Sequence, residues 1–274
     1  MKRIGLLLIG MILMAGMAAA QAPIKVQNIV IPGPAGVPLQ AKLYVPLGPV
    51  HLVGVVALHG CAGPLAKRDD DWALHLASCG HPVILPDSFG SRGLGSQCRA
   101  RHRSVTPFGL RRQDAFAAVR YLVAQPYTPA GGVALLGWSD GGATVLNSIA
   151  AAPDLPPGLI RGAVALYPAC ARVAKLPHWR AAVPLLILMG ADDDWTPPAP
   201  CQALARRQPR LISMHLYPGA YHDFDVPRDP VHLVKNLVYT KSGTGIAHAG
   251  ENPVARDAAR QAVPLFLAGL PPAG

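Results

Sequence analysis

The 274-residue sequence lacks the marks of several protein classes at once. There is no glycine period and no sustained heptad, which excludes a collagen-like or coiled-coil fibre. No internal repeat, low-complexity linker or block of like charge marks a domain boundary. Charged residues make up only 15% and aromatics 6%, while hydrophobic residues reach 51%, too many for a disordered chain. Beyond the first twenty residues the apolar runs are short and broken by Gly or Pro, so they read as buried strands and not as membrane spans. Basic residues outnumber acidic ones, 25 against 15. The arginines gathered between 92 and 120 nevertheless have no interleaved stacking aromatics and no recognition-helix pattern, which argues against nucleic acid as a partner. A solvated basic face is the simpler reading, with attraction of an anionic substrate as the alternative.

What is present begins with Met1-Lys2-Arg3, an apolar stretch from Ile4 to Met17, and Ala18-Ala19-Ala20. A charged start, an apolar middle and small residues at the end read as a secretory signal over residues 1–20, with cleavage after Ala20 or Ala22. The expectation is one α/β domain over residues 23–274, exported to a periplasm or the medium. The stretch is short for a stable membrane anchor. The first cysteine, Cys61, is too far from the cleavage point to carry a lipid. Loss of Lys2 and Arg3 with the leader leaves a formal charge of +8. Export permits disulfides, and five cysteines allow two bridges and one leftover thiol.

Short aliphatic runs recur at Leu52–Leu58, Pro82–Leu85, Val133–Leu136, Ala163–Leu166, Leu185–Met189 and Ile212–Leu216. Continuous apolar strands of this kind suit a parallel sheet covered on both faces. Between them, Asp69–Cys79, Arg111–Ala124, Ala143–Ala151 and Pro200–Arg207 have helical composition or spacing. The alternation predicts a three-layer α/β fold. Ile24–Ile31 and Leu39–Val45 read as an opening hairpin, and Val254–Leu267 as a closing helix.

At Gly137-Trp138-Ser139-Asp140-Gly141-Gly142 the sequence is G-x-S-x-G, with a strand expected before it and a helix after it. Such a sharp turn holds a serine in strained backbone geometry above the sheet edge, at a helix N-terminus that favours developing negative charge. A serine hydroxyl is a weak nucleophile at neutral pH and needs a base and an orienting acid. On this scaffold they follow in the order serine, acid, histidine. Gly190-Ala191-Asp192-Asp193-Asp194-Trp195-Thr196-Pro197 follows one strand and Tyr217-Pro218-Gly219-Ala220-Tyr221-His222-Asp223-Phe224 the next. Asp193 is the expected acid and His222 the base, both at carboxyl ends of strands where open α/β sheets place ligands. Asp192 and Asp194 read as turn or cap residues. The backbone amides of Asp140 and Cys61 are the expected oxyanion donors, and His59 is expected to brace the Cys61 turn.

These residues resemble the dienelactone hydrolase family of α/β-hydrolases. The resemblance rests on L-H-G-C-A-G at 58–63, P-D-S-F-G-S-R-G at 86–93, R-R-Q-D-A-F-A-A-V-R-Y-L at 111–122 and G-W-S-D-G-G at 137–142. It continues through G-A-D-D-D-W-T-P at 190–197 and Y-P-G-A-Y-H-D-F at 217–224. It implies the α/β-hydrolase fold, a triad of Ser139, Asp193 and His222, and neither a metal nor an organic cofactor. The founding members carry a cysteine nucleophile where this chain has Ser139. They also carry a carboxylate-binding arginine four residues past the histidine, where this chain has Val226. Arg92 lies near the family's other carboxylate-binding arginine.

In that fold the strands before Cys61 and Cys98 are neighbours, as are those before Cys170 and Cys201. The implied bridges are Cys61–Cys98 and Cys170–Cys201, with Cys79 free. The connection between Leu166 and Leu185 holds 18 residues, too few for the helical cap of many lipases. An open cleft follows, walled by residues 87–110 and 223–252. Arg92, Trp138 and Trp195 are the candidate pocket residues, and Arg99, Arg101 and Arg103 are further cations in the first wall. The expected substrate is a small ester or lactone, anionic groups included. A peptidase or acyltransferase on the same framework, or an exported binding protein retaining the triad, are the rival readings.

Overall fold

The aliphatic runs become strands because each can lose both faces to a neighbouring layer without stranding a polar side chain. The computed structural model describes residues 22–49, 51–151 and 158–271. The leader read over residues 1–20 lies outside the described residues. In chain order the principal elements are β1 (Ile24–Pro32), β2 (Pro38–Pro46), β3 (Gly54–Leu58), α1 (Ala66–Ser78), β4 (Val83–Pro86) and α2 (Leu110–Val123). There follow β5 (Val133–Trp138), α3 (Asp140–Ser148), β6 (Ile160–Leu166), α4 (Ala171–Ala174), β7 (Leu185–Gly190), α5 (Ala199–Arg207) and β8 (Ile212–Tyr217). The chain closes with β9 (His232–Val234), β10 (Ala247–Ala249) and α6 (Pro253–Ala268).

Eight strands form one sheet in the order β1-β2-β4-β3-β5-β6-β7-β8. Only β2 runs against the rest, since it pairs antiparallel with both β1 and β4 while every later pair is parallel. The central strands β3, β5 and β7 are buried along their whole length. Helices cover both faces of the sheet, giving the α/β-hydrolase architecture. Helices α1 and α6 are joined by Asp71, which accepts from Arg256 at 2.8 Å and Arg260 at 2.7 Å. The sequence at the start of α6 explains its boundary: Asn252 caps the Ala255 amide at 3.0 Å, and Pro253 occupies the first turn, where no amide is needed.

All the parallel strands point their carboxyl ends to one edge, so the turns after β3, β5, β7 and β8 meet there. Among the described residues no cap domain is inserted between β6 and β7; only the short α4 stands there. The excursion after His222 holds the small antiparallel pair β9–β10, which the sequence pattern did not announce. It docks beside the turn after β8 through a bridge between His222 and Ala249 and a 2.9 Å bond from the Gly250 amide to the His222 carbonyl. Both expected disulfides are present, Cys61–Cys98 and Cys170–Cys201, and Cys79 is a free, exposed thiol at the end of α1. No helix among the described residues is long and apolar enough to cross a membrane.

Candidate active site

Ser139 stands between β5 and α3 at φ 53°, a left-handed conformation that non-glycine residues seldom adopt. The glycines of the motif make the turn sterically feasible. A Cβ on Gly141 would run into the Leu58 carbonyl, and one on Gly137 into the Gly141 carbonyl. The Ser139 amide donates to Leu166 O at 2.9 Å, which pins the turn to β6.

From the turn after β8, His222 brings Nε2 to 2.9 Å from Ser139 Oγ. Its Nδ1 lies 2.8 Å from Asp193 Oδ2, on the turn after β7. All three side chains are buried. The other Asp193 oxygen accepts from the amides of Trp195 at 2.9 Å and Thr196 at 2.8 Å, fixing the carboxylate toward the imidazole. The Thr196 hydroxyl sits 3.0 Å from Asp193 Oδ2 and 3.1 Å from His222 Nδ1. Thr196 belongs to this constellation although the motif did not mark it. Burial pulls the His222 pKa down, but the charge and hydrogen bond of Asp193 outweigh it, leaving the imidazole more basic than an ordinary histidine.

The turn after β3 passes close to Ser139: a Cβ on Gly60 would lie 3.8 Å from the serine Cβ. His59 braces this turn, as expected. Its Nε2 accepts from the Ser88 amide at 3.1 Å and its Nδ1 meets Gly60 O at 2.8 Å, which assigns the proton to Nδ1. Burial, reinforced by the nearby Arg111 charge, pushes its pKa well down, so it stays neutral. The Cys61 carbonyl accepts from the Gln97 amide at 2.7 Å beside the Cys61–Cys98 bridge, so the turn is held covalently and by backbone. The Asp140 amide opens α3, where helix geometry leaves donors without intrahelical partners. Its carboxylate is drawn away by Arg103, in two bonds of 2.7 and 2.8 Å, and by Arg111. Burial raises the Asp140 carboxyl, yet these guanidinium charges win and hold it below the usual carboxylate range.

These groups surround a cavity of about 40 Å³ bounded by the Gly60–Gly63 turn, Cys98, Ser139, His222, Trp195, Arg68 and Asp223. A larger cavity, about 430 Å³, lies against Lys42, Asp70 and Asp87 and contains none of Ser139, Asp193 or His222. Because chemistry needs the serine within reach, the small cleft is the candidate site.

Two of the three candidate pocket residues lie elsewhere. Arg92 makes two bonds of 2.8 and 2.9 Å to Asp114 on α2, and a third to Ser88 O. Asp114 is fully buried and needs a cation, so Arg92 is structural. Trp138 is fully buried on β5, with its Nε1 donating to Asp225 at 2.9 Å and Arg68 stacked on its ring at 4.7 Å. Trp195 does line the cavity, its ring 4.5 Å from that of His222. Val226 is buried.

Beneath the site lies a buried polar cluster that sequence reasoning missed. Asp225 accepts from Trp72 Nε1 at 2.7 Å, from Trp138 Nε1 and from the Tyr167 hydroxyl. Arg68 pairs with Asp69 at 2.8 Å and with Asp223 at 3.1 Å. The partners come from α1, β5, the residue after β6 and the segment after β8, so no local spacing reveals them. The one available signal was that Arg68 and Asp69 fall on the inward stripe of α1 with Trp72 and Leu76.

The dienelactone hydrolase family model matches residues 39–266. Among solved structures, one from Klebsiella pneumoniae described as a dienelactone hydrolase superposes with a TM-score of 0.69 at 17% identity, covering 90% of this chain and 99% of that one. A dienelactone hydrolase-like promiscuous phosphotriesterase from metagenomic libraries gives 0.66 at 20% identity, covering 90% and 98%. A puromycin-hydrolyzing peptidase from Mycobacterium tuberculosis gives 0.67 at 19% identity, covering 95% of this chain but 42% of its own. At these identities the structural likeness speaks for the fold alone. The family match spans most of the chain, which therefore belongs to the dienelactone hydrolase family of α/β-hydrolases.

Proposed function

We propose that this chain is a serine hydrolase that cleaves carboxylic esters or lactones through an acyl-enzyme. The observation that carries the reading is the unbroken relay from Ser139 Oγ through the His222 ring to Asp193 Oδ2, at 2.9 and 2.8 Å. His222 Nε2 takes the hydroxyl proton as Ser139 Oγ bonds to the ester carbonyl carbon. Asp193 fixes the tautomer and stabilises the imidazolium that forms. The raised basicity of His222 suits this role. The amides of Cys61 and Asp140 receive the tetrahedral oxyanion, and each such donor contributes about 2.7–4 kcal/mol in comparable sites. The imidazolium then protonates the departing alkoxide as the C–O bond breaks. A water, deprotonated by His222, attacks the acyl-serine and releases the acid with Ser139 restored. The signal-like sequence over residues 1–20 and the two disulfides support an exported protein working in an oxidising compartment.

The test is substrate profiling of the mature protein beside Ser139→Ala, with p-nitrophenyl esters, lactones and peptide amides, together with fluorophosphonate labelling. The expected result is labelling that vanishes in the variant, and ester or lactone turnover reduced by at least about 10³-fold. Faster cleavage of amides than of esters would make the chain a peptidase. Unaltered ester turnover in Ser139→Ala would overturn the assignment.

A further inference from the structure

Among the residues lining the catalytic cavity, the ionisable side chain that reaches furthest toward solvent is an acid. Asp223 is 23% exposed there, whereas Arg68 is 3% exposed and His222 1%. Arg68 is not free to grip an anion. Its Nε and Nη2 are both 2.8 Å from Asp69 Oδ1, its Nη1 is 3.1 Å from Asp223, and its flat face lies on Trp138. The other cations expected to favour an acidic substrate are engaged too: Arg92 on Asp114, Arg103 and Arg111 on Asp140. Arg99 and Arg101 are exposed and line no part of the cavity. Arg68 is shared between Asp69 and Asp223, one cation against two carboxylates, so the cluster keeps a net negative charge whose exposed end is Asp223.

Across the same small cavity stands Trp195, partly exposed, its ring against His222. A carboxylate and an indole facing one space form a combination that recognises cations: the first by charge-assisted hydrogen bonding, the second by its ring quadrupole. Asp223 is also held at φ 57° directly after His222, backbone strain of the kind retained at ligand-facing positions.

Building on the hydrolase reading above, we propose that Asp223 and Trp195 form a subsite for a positively charged substrate group. The chain then prefers esters bearing an ammonium or quaternary ammonium near the scissile carbonyl over neutral esters, and disfavours carboxylate-bearing ones.

The test uses the mature protein at about 0.15 M salt, where the pull of distant exposed arginines is largely screened. Two matched ester sets place the charge on either side of the bond. On the alcohol side these are acetylcholine, its neutral isostere 3,3-dimethylbutyl acetate, and 4-acetoxybutanoate. On the acyl side they are methyl 5-aminopentanoate, methyl hexanoate and monomethyl glutarate. The expected result is a kcat/KM at least about tenfold higher for the cation than for its neutral partner in one set, with the anion slowest. That is the scale of one charge-assisted hydrogen bond for the primary ammonium, or of one desolvated cation–π contact for the quaternary one, which has no N–H to donate. Asp223→Asn, whose side chain tolerates the same backbone conformation, should cut that cation-to-neutral ratio at least about threefold, whatever the absolute rates, with Trp195 keeping the remainder. Neutral ester turnover with Ser139 labelling but no charge preference in either set overturns this inference alone. So does a preference that Asp223→Asn leaves unchanged. No labelling and no turnover of any ester overturns both this inference and the hydrolase reading.

Discussion

The guanidinium of Arg111 is ion-paired with the carboxylate of Asp140, the residue that follows Ser139, and the same group donates to the His59 carbonyl at 2.6 Å. One buried side chain on α2 therefore fastens the serine turn to the turn that carries Cys61. Their separation sets the width of the proposed oxyanion site, so Arg111 acts as a positioning residue. Removing one partner of a buried ion pair costs about 3–5 kcal/mol. Arg111→Met is expected to lower stability by about 3 kcal/mol in urea unfolding, softened by the surviving Arg103 pair, and to lower kcat more than it raises KM. The double variant Arg111→Met/Asp140→Ala should lose less stability than the two single changes added together.

The pH profile follows from the direction of the His222 shift. Burial lowers its pKa, Asp193 raises it further than that, and the balance lies above the ordinary value of 6.5. In the proposed reaction only the neutral imidazole accepts the Ser139 proton, so kcat/KM should fall as pH drops through a midpoint above 6.5. In Asp193→Asn the downward pull of burial loses its main opponent. The midpoint should move to lower pH, while kcat drops by about 10⁴-fold because the tautomer is no longer fixed. A rate profile from pH 5 to 9 checks both, and an unmoved midpoint would show that Asp193 does not govern the base.

The two disulfides are expected to separate stability from turnover. Each closes a loop of similar size, with sequence separations of 37 and 31, and each should contribute about 2–4 kcal/mol. Cys61 and Cys98 both line the candidate catalytic cavity, whereas Cys170 and Cys201 do not. Cys170→Ala/Cys201→Ala should lower the unfolding midpoint and leave kcat/KM within about twofold at a temperature where it is folded. Cys61→Ala/Cys98→Ala should lower both. Equal kinetic effects would remove the Cys61 turn from the site.

Asp225 is predicted to be a hub of stability and not of chemistry. Three buried donors, from Trp72, Trp138 and Tyr167, converge on it. Asp225→Ala leaves all three without an acceptor, at about 1–3 kcal/mol each. Loss of at least about 3 kcal/mol in denaturant unfolding is the expected outcome.

The strands and the serine, acid and histidine positions were legible because each rests on local information. An unbroken apolar run, a glycine turn and the order of residues at strand ends survive in a one-dimensional reading. Helix α3 was placed late, at Ala143, because Asp140-Gly141-Gly142 looks like loop; the Leu58 carbonyl, far away in sequence, is what demands glycine in that first turn. Arg92 was misplaced for a similar reason. Its partner Asp114 lies 22 residues away, in the same buried stripe of α2 as Ala118 and Leu122, and an acid among apolar neighbours was the clue that a cation must reach it. Arg68 and Asp225 carry no motif, since contacts between distant segments give them their roles; Thr196 lies inside the 190–197 run, but only folding shows that its hydroxyl also meets His222.

The open connection between β6 and β7 sets the fate of an acyl group on Ser139. No cap domain is inserted there among the described residues, so in the proposed reaction water would reach the acyl-serine, and the acid would leave, without a lid having to open. Ser139 is itself buried at the base of the cleft, but no cap among the described residues encloses a second site for a chosen acceptor. Under the proposed reaction, the short stretch from Tyr167 to Pro184 would favour disposal of the acyl group over its conservation.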